Sequence, residues 1–305
     1  MNTRTLLLKA TKELKAAGVP DPEYDSAILL ARVMDAPPLQ LRLGLTEEPT
    51  KEELAEFRRL MDRRVAREPL QYIEGKTVFN FYEYTVRPGV LIPRPETALL
   101  ANWAGRWLME WFFFHVPHYE PDEERFPWDQ LPHAQLLDLC CGSGCLGLSA
   151  SVGDGPIDLT MTDLSPEALE VARENARYRE IPCEILQGDL FEAVQGRKFD
   201  LIVSNPPYIP SEECDHLQAE VMHEPRMALD GGVDGLDFYR RIIQEVPDHL
   251  RPDGALMMEM GMGQVDAIRK MLEDRGANYI EVKKDDQGIQ RMILAEFGQH
   301  RFDTY

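Results

Sequence analysis

Apolar side chains recur every three or four residues through the first 75 positions, with charged faces between them. This pattern predicts helices over 3–17, 23–34 and 51–67. Thr50, followed three residues later by Glu53, forms a capping box that starts the third. From 75 to 87 the spacing shortens to that of strands, and Val78, Phe79, Phe81, Tyr82, Tyr84 and Val86 predict a hairpin. The apolar run 107–116, interrupted by Glu110, predicts a buried helix, far short of the roughly 20 residues that span a bilayer. The stretch HVPHYEPDEERFPWDQLPH at 115–133 has no period and is rich in proline and acid, so it is expected to be a surface insertion.

Beyond it, short apolar runs alternate with amphipathic segments. Strands are expected at 135–140, 157–162, 183–187, 199–204, 255–259, 279–282 and 291–296, with helices at 165–179, 236–249 and 263–274. Such alternation predicts an α/β fold with a mostly parallel sheet. The chain thus divides into a helical domain (1–74), a β-hairpin linker (75–95) and an α/β domain (96–305).

The hydrophobic content of 44% suffices for a sizeable core. A formal charge of −20, from 33 basic and 53 acidic residues, opposes tight sequence-independent binding to DNA or RNA, which depends on Lys and Arg neutralising phosphates. Five cysteines (Cys140, Cys141, Cys145, Cys183, Cys214) show neither a CxxC repeat nor nearby histidine spacing, so reduced, buried thiols are expected and no metal site. The N-terminus has neither the apolar core of a secretory signal nor the acid-free character of a transit peptide, which points to the cytoplasm and no membrane.

The candidate chemistry collects at predicted strand ends. LLDLCCGSGCLG at 136–147 runs from a strand through a glycine-rich turn into a helix, and Gly142, Gly144 and Gly147 satisfy a GxGxxG spacing that would equally serve NAD. Asp138, just before the loop, is a candidate for organising it. The second strand ends in Asp163, where a carboxylate can accept from ribose hydroxyls, or simply start the following helix. Asp189 and Leu190 end the third, placed for an adenine; Asp189 equally serves as a cap of the next turn. Together Cys140, Cys141, Gly142, Ser143, Gly144, Asp163, Asp189 and Leu190 outline a cofactor crevice, because ligands of open α/β sheets bind beyond the carboxyl ends of strands.

The fourth strand delivers SNPPYIP (204–210) to the same place. Two prolines stop the strand and hold a rigid shape. The Asn205 carboxamide and the Pro206 carbonyl are two acceptors that can grip both hydrogens of a planar NH2 group, with Pro207 fixing their aim and Tyr208 offering a flat face. That arrangement fits methyl transfer to a planar nitrogen of an amide or an adenine, and has no use in NAD chemistry.

At these residues the sequence resembles the class I S-adenosylmethionine-dependent methyltransferases, specifically protein N5-glutamine methyltransferases of the HemK/PrmC type. REPLQYIEG (67–75), VLIPRPET (90–97), NPPY (205–208), EPRMALDGGVDGLDFYRR (224–241) and DQGI (286–289) carry the likeness, which covers nearly the whole chain except the insertion. Two departures stand out: Ala98 replaces a second glutamate after the IPRPET stretch, and Cys140 and Cys141 replace the first Gly-Thr of the usual loop.

The resemblance implies a Rossmann-like fold with a helical substrate-recognition domain, S-adenosylmethionine in the glycine-loop crevice with Asn205 facing it, and the glutamine of the GGQ motif in class I peptide chain release factors as substrate. It implies catalytic roles for Asn205, Pro206, Pro207 and Tyr208, with Arg94 and Glu96 organising the adjacent wall. Ribosomal protein L3 is the alternative substrate. Adenine N6 methylation of nucleic acid, and a non-catalytic binding module on the same fold, are further readings.

Overall fold

The first 74 residues form five helices: α1 (Thr3–Ala16), α2 (Pro22–Met34), α3 (Pro38–Leu43), α4 (Lys51–Val65) and α5 (Leu70–Glu74). These come from a computed structural model describing residues 2–115, 131–153 and 155–298. Asn2 caps α1 by accepting the Thr5 N–H at 2.9 Å, and the Thr50/Glu53 capping box has both of its bonds, at 3.1 and 2.7 Å. The periodicity did not predict α3 and α5, because helices of one to two turns have too few positions to show it. Their flanks do carry the signals: a proline at or just before each start, and left-handed Gly44 or Gly75 after each end. Leu14, Leu29, Leu30, Leu41 and Leu60 make the buried centre of this bundle.

The chain folds as two compact units, one comprising residues up to 76 together with 217–224, the other 77–216 and 225 onward. The linear division into 1–74, 75–95 and 96–305 had assigned 217–224 to the α/β domain. Charge explains the difference. Arg64 on α4 is buried, donates to Asp25 at 2.7 Å and reaches Glu220 at 2.9 Å, while Arg67 donates to the same Glu220 at 2.7 Å. A buried guanidinium needs carboxylates around it, and the second must come from this distant segment.

The hairpin that follows, β1 (Lys76–Phe79) and β2 (Tyr82–Thr85), belongs to the second unit from Thr77 onward and turns through Asn80 and Phe81, both at positive φ. Asn175 holds its far end: it accepts from the Thr85 N–H at 2.7 Å and donates to the Thr85 carbonyl at 3.1 Å. There follow α6 (Thr97–His115), β3 (Ala134–Leu139), α7 (Cys145–Ala150), β4 (Ile157–Asp163), α8 (Pro166–Tyr178), β5 (Cys183–Gln187), β6 (Phe199–Ser204), α9 (Asp237–His249), β7 (Leu250–Glu259), α10 (Val265–Asp274), β8 (Tyr279–Lys284) and β9 (Gln290–Glu296). Helix α6 contains residues 107–115 of the predicted apolar run but starts earlier, at Thr97. Most of the expected insertion, 116–130, lies outside the described residues.

The seven-stranded sheet has the order β5-β4-β3-β6-β7-β9-β8, parallel through β7 with β9 antiparallel to both neighbours. Alternate residues of each central strand bury into opposite layers. Leu136 and Leu201 pack with Trp103, Trp107 and Leu146 on one face; Leu137 and Ile202 pack with Tyr239, Ile243 and Ile268 on the other. Register then sets the site. Leu139 pairs with both Thr162 and Ser204, Asp163 with Gln187, and Ser204 with Met258. Cys140, Asp163, Gly188, Asn205 and Glu259 consequently leave the sheet at nearly one level, around the point between β3 and β6 where the strand order reverses.

Candidate active site

Cys140, Gly142 and Gly144 all take left-handed conformations, with φ of 58°, 54° and 78°, and fold the segment after β3 into a tight loop. Gly147 serves a different need. A Cβ there would stand 2.9 Å from the Asp138 side chain, so its absence lets α7 settle on β3. Asp138 is fully buried beneath the loop; its Oδ2 accepts the Gly147 N–H at 2.8 Å, and Oδ1 has no partner among the described residues. Burial raises its carboxyl to about 8.

Asp163, at the end of β4, accepts the Gly142 N–H at 2.9 Å through Oδ2 and the Ser165 N–H at 2.9 Å through Oδ1. The expected ribose acceptor therefore also braces the loop, and each oxygen keeps a second lone pair for a ligand. Burial raises its carboxyl above the ordinary 3.8, against the pull of those backbone bonds. Asp189 lines the cavity and also forms a capping box with Glu192 for the turn Leu190–Val194. Arg241 pairs with it at 2.8 Å.

These strand ends enclose a cavity of about 240 Å³. Of the expected cofactor residues, Cys140, Cys141, Gly142, Ser143, Asp163, Asp189, Leu190 and Asn205 line it, together with Arg94 and Pro207. Gly144 does not; its place is against Met161 and Leu148, where it shapes the turn of the loop. Leu164 and Phe238 add apolar wall, and Arg94 is the lining's one cation among the described residues. Paired acids, an apolar slot and an unpartnered buried oxygen on Asp138 suit a cationic nucleoside such as the expected sulfonium cofactor.

Pro206, Tyr208 and Glu96 do not line the cavity, contrary to the expectation of walls from Tyr208 and Glu96. Pro206 and Pro207 are buried. The Tyr208 ring packs with the apolar layer that includes Leu236 and Phe238. Burial, then the nearby Glu259, push its hydroxyl up to about 12. Glu96 belongs to the same group of charges behind the wall, close to Glu259 and Tyr208. Ser204 closes the strand by donating to the Leu139 carbonyl at 2.8 Å, and no described residue donates to the Pro206 carbonyl.

The segment after residue 224 holds this loop from behind. Ile209 donates to the Leu229 carbonyl and accepts from Gly231, at 2.9 and 2.8 Å. Gln264 donates to the carbonyls of Tyr208 and Gly235, at 2.9 and 3.1 Å. Added Cβ atoms at Gly231 and Gly235 would meet the backbone of Pro207 or Tyr208 at 2.8 and 2.3 Å, which is why DGGVDG is written with glycine at those places.

Three site residues escaped the sequence reading. Asn175 donates to the Ser143 carbonyl of the glycine loop at 2.9 Å. Thr97 donates to Glu259 Oε2 at 2.6 Å and accepts from Asn205 Nδ2 at 3.2 Å. Glu259 was legible in principle, since a carboxylate ending the buried run ALMME sits where a parallel strand delivers function. Among the described residues the five cysteines are free thiols, no cluster could hold a metal ion, and no helix is long and apolar enough to cross a membrane.

Residues 125–233 match the family model described as "Methyltransferase small domain", and residues 5–75 that described as "PrmC N-terminal domain". The release factor glutamine methyltransferase of Geobacter sulfurreducens is 35% identical over 286 residues, 93% of either chain. That of Moorella thermoacetica is 35% identical over 298 residues, covering 97% of this chain and 98% of its own. Among solved structures, the hMettl16 catalytic domain in complex with a MAT2A 3'UTR hairpin superposes with a TM-score of 0.53 over 71% of this chain and 76% of that one, at 12% identity, a likeness of fold alone.

Proposed function

The chain belongs to the release factor glutamine methyltransferase family, and we propose that it transfers a methyl group from S-adenosylmethionine to the side-chain nitrogen (N5) of the glutamine in the GGQ motif of class I peptide chain release factors. The observation that carries this reading is the Asn205 loop: a carboxamide that lines a cavity walled by Asp163, Asp189 and the glycine loop, followed directly by a Pro206 carbonyl to which no described residue donates. Such a substrate places the activity where translation ends, in the cytoplasm, and assigns recognition of the protein substrate to the helical unit.

An amide nitrogen is a poor nucleophile, because its lone pair is delocalised into the carbonyl. The cofactor supplies an electrophilic methyl group. What the chain must add is aim and charge complementarity. Asn205 Oδ1 and the Pro206 carbonyl accept the two N–H bonds of the glutamine amide, favouring positive charge at nitrogen and pointing its lone pair into the cavity. Pro207 keeps the two acceptors in fixed relation, and Tyr208, from behind, stiffens the loop that bears them. Asp163 and Asp189 would accept from the ribose and adenine ends of the cofactor, and Leu190 would offer the base an apolar face. No side chain has to remove a proton before transfer, since the alkylated amide is acidic enough to lose it afterwards to water.

The test is incorporation of labelled methyl from S-adenosylmethionine into four candidates: a class I release factor, its GGQ variant with glutamine replaced by alanine, ribosomal protein L3 and DNA. The reading predicts label in the first alone. Label in DNA, or persisting in the glutamine-free variant, contradicts it.

A further inference from the structure

An acceptor can be made from asparagine only if its amide is turned the right way, because the two ends of a carboxamide have nearly the same shape and opposite hydrogen-bonding sense. Something in the fold must choose. Asn205 Nδ2 is 3.2 Å from Thr97 Oγ1, and that hydroxyl is 2.6 Å from Glu259 Oε2. Resting on the reading above, we propose that Glu259, acting through the Thr97 hydroxyl, is a positioning residue that sets the orientation of the Asn205 carboxamide and so presents Oδ1, not the NH2, to the substrate amide.

Proton counting gives the reason. An ionised carboxylate can only accept, so the single proton of the Thr97 hydroxyl is committed to Glu259. The oxygen of Thr97 then faces Asn205 with lone pairs alone and admits only its NH2. Oδ1 is left on the opposite side, towards the cavity that Thr97 and Asn205 both line. The relay has no slack. Glu259 is buried at the end of β7, one residue beyond the Met258 that pairs with Ser204, so the carboxylate and the asparagine are held by neighbouring strands. Thr97, buried at the start of α6, is fixed by the helix it begins.

The arrangement is polar only while Glu259 is charged. A protonated Glu259 can itself donate to Thr97, which releases the hydroxyl proton towards Asn205 and allows the amide to turn over. The groups facing Glu259 are Thr97 and Glu96 at the start of α6, Arg291 on β9, Tyr208 on the loop after β6, Cys145 on α7 and the Tyr239 ring of α9. Burial dominates and raises its carboxyl to about 7, against the hydrogen bond from Thr97 and the charge of Arg291. The sign follows: the productive, ionised form is present above about pH 7 and is lost as the pH falls through it.

Two measurements on the full-length protein test the proposal. In 15N-labelled protein without substrate, the Asn205 side-chain amide, identified by its loss in Asn205→Ala, is expected to titrate with a midpoint near 7. In Glu259→Gln it is expected to show no such step. In single-turnover methyl transfer at high pH, Thr97→Val is expected to slow the reaction by about 10- to 100-fold, the range in which outer partners of functional groups act. Thr97→Ser restores most of that rate, and cofactor affinity measured by equilibrium titration changes little in either variant.

A flat Asn205 resonance in the wild type, or equal rates for Thr97→Val and Thr97→Ser, overturns the relay even where glutamine is methylated. Titration of Asn205 through Glu259, in a protein that transfers no methyl to glutamine, upholds the relay and sinks the reading of the substrate instead.

Discussion

Gly235 shows how much of the site rests on a single missing side chain. It sits at φ +72°, and a Cβ there would lie 2.3 Å from the Tyr208 carbonyl oxygen and 2.7 Å from the Gln264 amide that braces it. Gly235→Ala therefore meets two penalties, a left-handed alanine and an overlap with backbone that cannot swing aside. We expect a loss of about 2–4 kcal/mol in unfolding free energy, with methyl transfer falling and cofactor affinity largely kept. Gly263, at φ +83° with nothing within 4 Å, is the control. Gly263→Ala carries only the conformational cost of about 1–2 kcal/mol; equal losses in the two variants would show that the contact with Tyr208 does not matter. Asp163 separates from Asn205 in the opposite way. Asp163→Ala removes the acceptor proposed for the cofactor's ribose and frees the Gly142 and Ser165 N–H groups. Two charge-assisted bonds of about 1.5–3 kcal/mol each are at stake, and a large drop in cofactor affinity is expected by calorimetric titration. Affinity unchanged from wild type would remove Asp163 from the binding site.

At the scale of elements, the strands that build the cleft were legible because each is a short run rich in apolar residues with a glycine, acid or asparagine at its end or within three residues of it. Buried parallel strands leave little choice of side chain, and their ends are where polar residues reappear. What stayed hidden were features without a period: α3 and α5, which are too short, and the start of α6, where Thr97 follows a proline-rich stretch. The membership of 217–224 in the helical unit was hidden for a different reason, since one carboxylate paired with arginines some 150 positions away leaves no local trace. That pairing has a pH signature. Burial alone would raise the Glu220 carboxyl, but hydrogen bonds from Arg67 and Arg64 outweigh it and hold it at about 2, below its ordinary 4.5. A lowered carboxyl stabilises the fold above its unfolded value, and that contribution disappears as pH falls through the folded one. The stability difference between wild type and Glu220→Gln, read from urea midpoints, is thus expected to be constant above about pH 5 and to shrink progressively towards pH 2. A difference that stays flat over that span would mean that the arginines do not hold Glu220.

For the molecule as a whole, an acidic chain with a net charge of −20 is poorly suited to gripping a phosphate backbone, although NPPY alone is also compatible with an adenine substrate. What favours the glutamine reading is the company of that motif, since relatives that share nearly the full length of the chain are named release factor glutamine methyltransferases. The central claim is chemical and local, that Asn205 and the Pro206 carbonyl present a glutamine amide to a bound methyl donor. The most direct measurement is fragment mass spectrometry of a class I release factor after reaction with wild type and with Asn205→Ala, alongside equilibrium binding of S-adenosylmethionine to both enzymes. The account predicts one added methyl on the side-chain nitrogen of the GGQ glutamine with wild type, and its loss with Asn205→Ala while cofactor binding persists. A methyl group on any other residue, or undiminished glutamine methylation by Asn205→Ala, would contradict it.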